Sequence, residues 1–276
     1  MQTRAVDITG RKFQVEADVA TSFWDLWEAK GWQPHTTRVF DRFVHPEKAV
    51  IDMGAWAGPL SLYAAQLTRG DIHAIEPDAV VFRQLERNLR ANPALQDRFF
   101  CHSVAIGPKD TEALLFSRRE FGDSSSSLVA RSRDQGETVT IPVQRFASFA
   151  QMLNNSPVGF IKMDIEGAEF EVIPDMAPWL MAHKPTLLLS LHGNYFREHF
   201  FKNKGLGRLR LSLEERLSVF PWSDGPLMAA VRSLLKALEG YRYIYAENGQ
   251  VVRPADLLHS KTHLEPVDLV FTDEKW

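Results

Sequence analysis

The sequence predicts an α/β protein built on a doubly wound, mostly parallel sheet with an antiparallel edge strand at its C-terminal end. Three observations carry that expectation. Short apolar runs alternate with segments of helical periodicity from residue 49 to residue 238. Several of these runs stop on a polar group, at Asp52, Glu76, Asp164 and His192, as strands do at the ligand-binding rim of such a sheet. The last two runs, 241–246 and 267–272, follow one another with no helix between them, so they are expected to pair antiparallel.

Residues 1–45 are expected to be a helical segment packing on the core as a lid, ahead of a main domain over residues 46–276. Phe23, Trp24, Leu26 and Trp27, then Val39, Phe40 and Phe43 beyond Gly31, have amphipathic spacing; Trp24, Trp27 and Trp32 fit either a lid or plain core packing. Ala49-Val50-Ile51 reads as a buried strand that ends on Asp52, turns through Gly54 to Gly58, and enters a helix at Pro59 carrying Leu60, Tyr63, Ala64 and Leu67. A second strand, 72–75, ends on Glu76-Pro77. Asp78 then caps a helix with Val81, Leu85 and Leu89 facing inward, which Asn92-Pro93 ends.

Residues 99–106 read as a third strand. Two short strands, 114–116 and 139–141, flank a turn-prone loop from Gly122 to Ser127. After a helix over 146–153, the run from Val158 to Met163 is a buried strand ending on Asp164. A helix over 168–180 leads to the strand 186–191, which ends at His192-Gly193. A polar, basic insertion occupies about residues 194–226, with Lys202, Lys204, Arg208 and Arg210 and a short helix near 213–217. A helix over 228–238 and the two final strands complete the chain.

Composition bounds the function. With 276 residues, 45% hydrophobic and 24% charged, the chain can bury a large core. A net charge of −3 supplies no electrostatic attraction to nucleic acid. A single cysteine, Cys101, excludes an internal disulfide framework and fits a reducing compartment. The first residues carry no apolar signal core and no run approaches the roughly 18 residues of a membrane span, so a cytoplasmic protein is expected.

The glycine spacing is Gly54-x-x-x-Gly58, not the G-x-G-x-x-G that brings a backbone against a pyrophosphate. It favours a ligand with one ribose and no phosphate over a dinucleotide. Glu76, ending the second strand of the βαβ unit, is placed to hold ribose hydroxyls; its bland alternative is a solvated turn acid. Asp52 either caps loop N–H groups or reaches an amino-acid portion of the ligand. In the run from Phe160 to Glu169, the charges of Lys162, Asp164, Glu166 and Glu169 crowd a strand end. Carboxylates so close repel and raise at least one pKa unless a cation or a ligand charge lies among them. Glu169 reads equally as a helix cap or a functional group. His192 faces the same cleft as a catalytic group, a metal ligand or a satisfied structural residue, and His73 reads as structural. The basic run from Lys202 to Arg210 is a solvated insertion or a contact for an acidic or phosphorylated substrate.

Together these residues resemble the FkbM family of S-adenosylmethionine-dependent methyltransferases. The matching stretches are Ile51 to Gly58, Ala74 to Pro77, Val104 to Gly107, the serine loop with Ile141-Pro142-Val143, and above all Ile161 to Glu169. The resemblance spans about residues 35–195. It implies a Rossmann-like class I methyltransferase fold with S-adenosylmethionine as cofactor, Asp52, Gly54 and Gly58 contacting the methionine portion and Glu76 the ribose. Trp56 stands where many members carry asparagine, and would cover the cofactor or narrow the cleft. Methyl transfer mainly to oxygen is implied, on sugars, polyketide-type hydroxyls or carboxyls.

The expected activity is therefore O-methylation of a hydroxyl or carboxyl on a small metabolite or glycan sugar. His192 and Asp164 are the alternative bases, with Glu166 in support. A variant places Mg²⁺ or Mn²⁺ among Asp164, Glu166 and His192, although the sequence does not establish a metal site. An NAD-linked oxidoreductase, disfavoured by the glycine spacing, and a non-catalytic binding module are the rival readings. The acceptor and the oligomeric state are not fixed by the sequence.

Overall fold

The computed structural model of the chain describes residues 2–17, 21–31, 34–118, 121–122, 125–130, 136–153, 156–196, 225–258 and 266–276. The basic stretch from Lys202 to Arg210, the expected short helix near 213–217, Trp32, and Asp123 and Ser124 of the serine loop lie outside the described residues.

The N-terminal segment opens not with a helix but with an antiparallel hairpin, β1 (Thr3–Ile8) and β2 (Arg11–Glu16). Val6, Ile8, Phe13 and Val15 alternate inward, and the two-residue turn puts Thr9 and Gly10 at φ 51° and 83°. A β-branched residue is rare at such a φ, so Thr9-Gly10 carries a weaker hairpin signal than Asn-Gly. The exposed edge of β2 is closed from the side: its Gln14 and Glu16 N–H groups donate to the side-chain oxygens of Asn92 and Asn88. Helices α1 (Thr21–Lys30) and α2 (Pro34–Phe43) follow, as expected. Trp24 and Trp27 are fully buried, packed against Phe13 and against each other with ring centroids 5.9 Å apart. They are core residues.

Next come β3 (Ala49–Met53), α3 (Pro59–Ala65), β4 (Ile72–Ile75), α4 (Ala79–Arg90) and β5 (Phe99–His102). The expected strand over 99–106 is two: the chain breaks after His102, and β6 (Ala105–Gly107) joins β7 (Thr111–Phe116) and β8 (Thr138–Arg145) in a separate three-stranded sheet. A short α5 (Phe146–Phe149), then β9 (Val158–Met163), α6 (Glu169–His183), β10 (Thr186–Leu191), α7 (Pro226–Ala237), β11 (Tyr243–Ala246) and β12 (Val267–Thr272) complete the described elements.

Among the described residues the central sheet has seven strands in the order β11-β12-β10-β9-β3-β4-β5. The five from β10 to β5 run parallel. The closing strand β12 is antiparallel as expected, but it lies one place inside the sheet and β11 forms the edge. Burial explains the order: Leu269, Val270 and Phe271 are all buried and need cover on both faces. Successive residues of each parallel strand enter opposite cores. Val50, Phe160 and Leu188 pack with the hairpin, α2 and α3, whereas Ile51, Ile161 and Leu187 pack with α6 and α7. No helix among the described residues is long and apolar enough to cross a membrane.

Phe40 of α2 is fully buried with its ring centroid 4.8 Å from that of Phe160 on β9, so it fastens the N-terminal segment to the middle of the sheet. Phe40→Ala is expected to cost about 3–5 kcal/mol, seen as a lower denaturation midpoint at unchanged slope. A loss below about 1 kcal/mol would mean that the segment is not part of the cooperative core.

Candidate active site

A cavity of about 370 Å³ opens at the carboxyl ends of β3, β4, β9 and β10. Asp52, Gly54, Trp56, Glu76, Asp164, Glu166 and His192 all line it, so the strand ends singled out in the sequence converge. Gly58 does not line it. Gly58 closes the turn at φ 85°, its N–H donating to the Ala55 carbonyl, and a Cβ there would press on Leu85.

The turn after β3 is fixed by close approach. Gly54 sits at φ 79°, and a Cβ on it would lie 1.9 Å from the Asp164 carbonyl oxygen, so no side chain fits. Trp56 follows at φ 49°, its ring edge-on to Phe23 at 4.8 Å and its buried indole N–H without a partner. The Trp56 backbone N–H donates to Glu76 Oε2 at 2.9 Å, and the Asp78 N–H donates to Oε1 at 2.8 Å. Burial pushes the Glu76 carboxyl up to about 7, against the pull of those two N–H groups. Asp78 caps α4 as expected, accepting from the Val80 N–H. Its other oxygen accepts from the Gly122 N–H and the Ser126 hydroxyl, which draws the serine loop over the cleft.

Parallel pairing sets Asp52 directly beside Lys162. The buried Lys162 ammonium donates to the Gly54 carbonyl at 2.7 Å and lies 3.2 Å from Asp52 Oδ1 and 3.7 Å from Asp164 Oδ2. Burial opposes its charge, but the Asp52 and Asp164 carboxylates outweigh that and hold the lysine protonated, above its ordinary range. The second Asp52 oxygen accepts from the Ser61 hydroxyl at 2.6 Å. Asp52 thus lines the cavity while its oxygens serve Lys162 and Ser61, which orients the loop.

On the other wall His192 Nδ1 and Glu169 Oε1 are 2.9 Å apart, and His192 Nε2 faces Asp164 Oδ1 at 3.7 Å and Glu166 Oε1 at 3.9 Å. The ring stacks on Tyr195 with planes 7° apart. Burial works against an imidazolium, yet the three carboxylates, Glu169 foremost, push it up to about 10. The fully buried Glu169 also accepts the Ile165 and Gly167 N–H groups, so it caps the turn and orients the histidine together.

Sequence reasoning assigned no role to Lys162, Ser190 or Asp268. Ser190 and Asp268 are cross-strand partners on β10 and β12, the hydroxyl donates to the carboxylate, and both line the cavity. Burial raises the Asp268 carboxyl. Polar residues inside otherwise apolar strands were the signal for all three.

A doubly wound sheet with an acid-lined cleft at its carboxyl ends, Glu76 standing at the end of the second parallel strand, is the arrangement in which open α/β sheets bind their ligands. Residues 51–243 match the Methyltransferase FkbM domain, and the chain belongs to that family, which sets aside the nicotinamide-linked reading. Among solved structures it is similar to a methyltransferase FkbM from Methylobacillus flagellatus KT, at 16% identity and a TM-score of 0.46 over 85% of this chain and 50% of that one. The chain thus spans half the length of that protein. It is also similar to an O-methyltransferase from Bacillus cereus in complex with SAH (10% identity, TM-score 0.43, 92% of this chain and 88% of that one). A third is the Aeropyrum pernix fibrillarin with bound S-adenosyl-L-methionine (11%, 0.45, 98% and 82%). No curated protein matches the sequence.

Lys162→Met would leave Asp52 buried without its cation, at an expected cost of about 3–5 kcal/mol. Adding Asp52→Asn should restore at least half of that loss in chemical denaturation, and equal losses in the single and double variants would contradict the pairing.

Proposed function

We propose that this chain is an S-adenosylmethionine-dependent O-methyltransferase acting on a hydroxyl, or a carboxyl, of a small metabolite or glycan sugar. The observation that carries the reading is Glu76: a carboxylate at the end of the second parallel strand, held by two backbone N–H groups, on the wall of the cleft. Each oxygen keeps acceptor capacity for a ribose hydroxyl. The donor set fits the rest of the cofactor as well. Val104, Ile106 and Leu128 supply apolar wall for a base, and Asp52 and Asp164 suit the positive charge of a sulfonium.

When bound, S-adenosylmethionine supplies an already activated methyl group, so the protein's work is alignment and removal of one proton. Glu76 fixes the ribose. The Lys162 ammonium ties the Gly54 carbonyl to Asp52 and Asp164 and thereby holds the loop against the strand end. The acceptor proton passes to the carboxylates of the Asp164, Glu166 and His192 group. Asp164 is the more accessible of the two acids, with 32% of its side chain exposed against 16% for Glu166. His192 already holds a proton near neutrality when this group stands alone, so it balances charge beside Asp164 instead of taking the proton. The partner is a small-molecule or glycan acceptor, with no role for nucleic acid.

Calorimetric titration with S-adenosylhomocysteine tests the cofactor. Saturable binding that is lost in Glu76→Ala is expected, and no binding by the folded protein overturns the reading. Ribose hydroxyls donate best to an ionised carboxylate, and the Glu76 carboxyl titrates at about 7. Affinity should therefore rise up to about tenfold between about pH 6 and about pH 8, with proton release on binding, and Glu76→Gln should flatten that dependence. With an acceptor in hand, Asp164→Asn should slow single-turnover methyl transfer by about 10²-fold or more; an unchanged rate would remove Asp164 from the chemistry.

A further inference from the structure

We propose that Ser190 and Asp268 are an anchoring subsite for the methyl acceptor, binding a hydroxyl other than the one methylated, so that the acceptor is a polyhydroxylated ring and not a carboxylic acid. This subsite rests on the methyl-transfer reading above for the place of the cofactor.

Sheet register sets the geometry. Met53 pairs with Ile75 on β4 and with Met163 on β9, and Leu189 pairs with Met163 and with Leu269 on β12. The next residues toward the rim, Glu76, Gly54, Asp164, Ser190 and Asp268, therefore form one row across five strands, and each of them lines the cavity. A cofactor with its ribose on Glu76 and its amino-acid end over the Gly54 turn uses the β4 and β3 end of that row. The acceptor then lies above Asp164, and Ser190 and Asp268 are the rest of the row open to it. Neighbouring strands are about 4.8 Å apart, so Asp268 stands two spacings, about 10 Å, beyond Asp164. One six-membered ring spans that gap with a hydrogen bond at each end.

Packing does not account for the pair. Ser190 stands between the buried Leu189 and Leu191, and Asp268 precedes the buried run from Leu269 to Phe271, positions where an apolar side chain would serve the sheet. A carboxylate there is costly, because burial and the Asp164 carboxylate oppose its charge. Burial and then Asp268 also raise the carboxyl of Glu247, a second acid with no charge to offer in compensation. Among the described residues the one hydrogen bond to Asp268 comes from the Ser190 hydroxyl, and no cation lies within ion-pair distance of it. With Ser190 donating to Asp268, the pair has only acceptors left to present to the cavity. Such a pair needs donors from its ligand. A hydroxyl brings one, whereas an ionised carboxyl brings none and sets a like charge against Asp164 and Asp268.

Saturation-transfer NMR and calorimetry on the full chain, free and loaded with S-adenosylhomocysteine, test this without any turnover. The probes are myo-inositol and the methyl glycosides of glucose, mannose, galactose, rhamnose and fucose, set against benzoate and cyclohexanecarboxylate. Saturable binding of at least one ring polyol is expected, in preference to both carboxylates. It should weaken about tenfold or more in Asp268→Asn and vanish in Asp268→Val. Each variant is first checked for a native melting transition. That of Asp268→Asn is expected at or above the parent's, because an unpaired buried charge is removed, and this variant decides alone if Asp268→Val does not fold. No saturable polyol, polyol binding that survives the substitutions, or tighter binding of a carboxylate overturns the proposal. S-adenosylhomocysteine binding without polyol binding defeats the subsite alone. Polyol binding that depends on Asp268 in a chain that takes no S-adenosylhomocysteine leaves the subsite and defeats the cofactor reading.

Discussion

The site is organised around one buried ammonium. Lys162 projects from the middle strand of the sheet toward the β3 side, where Asp52 is its register partner. A charge in that position costs several kcal/mol unless it is paired and hydrogen-bonded. Lys162 meets that requirement with two carboxylates and one backbone carbonyl, and those three partners come from the end of β3 with its turn and from the end of β9. The same contacts pin Gly54 so tightly against Asp164 that the turn admits no side chain. Such a pair contributes little net stability over an apolar isostere. Its effect here is positional, because it fixes the loop that carries the Trp56 N–H to Glu76.

A second buried acid organises the opposite wall in the same way. Glu169 gathers two backbone N–H groups and the His192 ring on one carboxylate, so helix capping and side-chain orientation are one interaction. The alternatives weighed from the sequence, cap or functional group, turn out not to compete. Between the two walls, among the described residues, the carboxylates that line the cleft outnumber the Lys162 ammonium and the His192 imidazolium that face them.

Much of this was legible in the residues themselves. Buried parallel strands declare themselves as short apolar runs with abrupt polar ends, which is why Asp52, Glu76, Asp164 and His192 could be placed at one rim. Period and length alone hid the hairpin, whose strands are short and whose turn uses Thr9 at a φ that threonine rarely adopts. The break between β5 and β6 was hidden for a related reason: both halves look like strand, and which sheet each joins is decided by pairing partners far along the chain. Asp268 lies 104 residues beyond Asp164, as their numbers show, and only the insertion of β12 next to β10 brings it to the cleft. Local pattern carries the strand ends; it does not carry sheet order.

The most direct measurement is a crystal structure of the protein grown with S-adenosylhomocysteine. The expected result is the ligand in the cleft above β3 and β4, its ribose hydroxyls within hydrogen-bond distance of both Glu76 oxygens and its amino-acid end over the Gly54 turn. A ligand seated elsewhere, or with its ribose turned away from Glu76, would contradict the assignment of this cleft as the methyl-donor site.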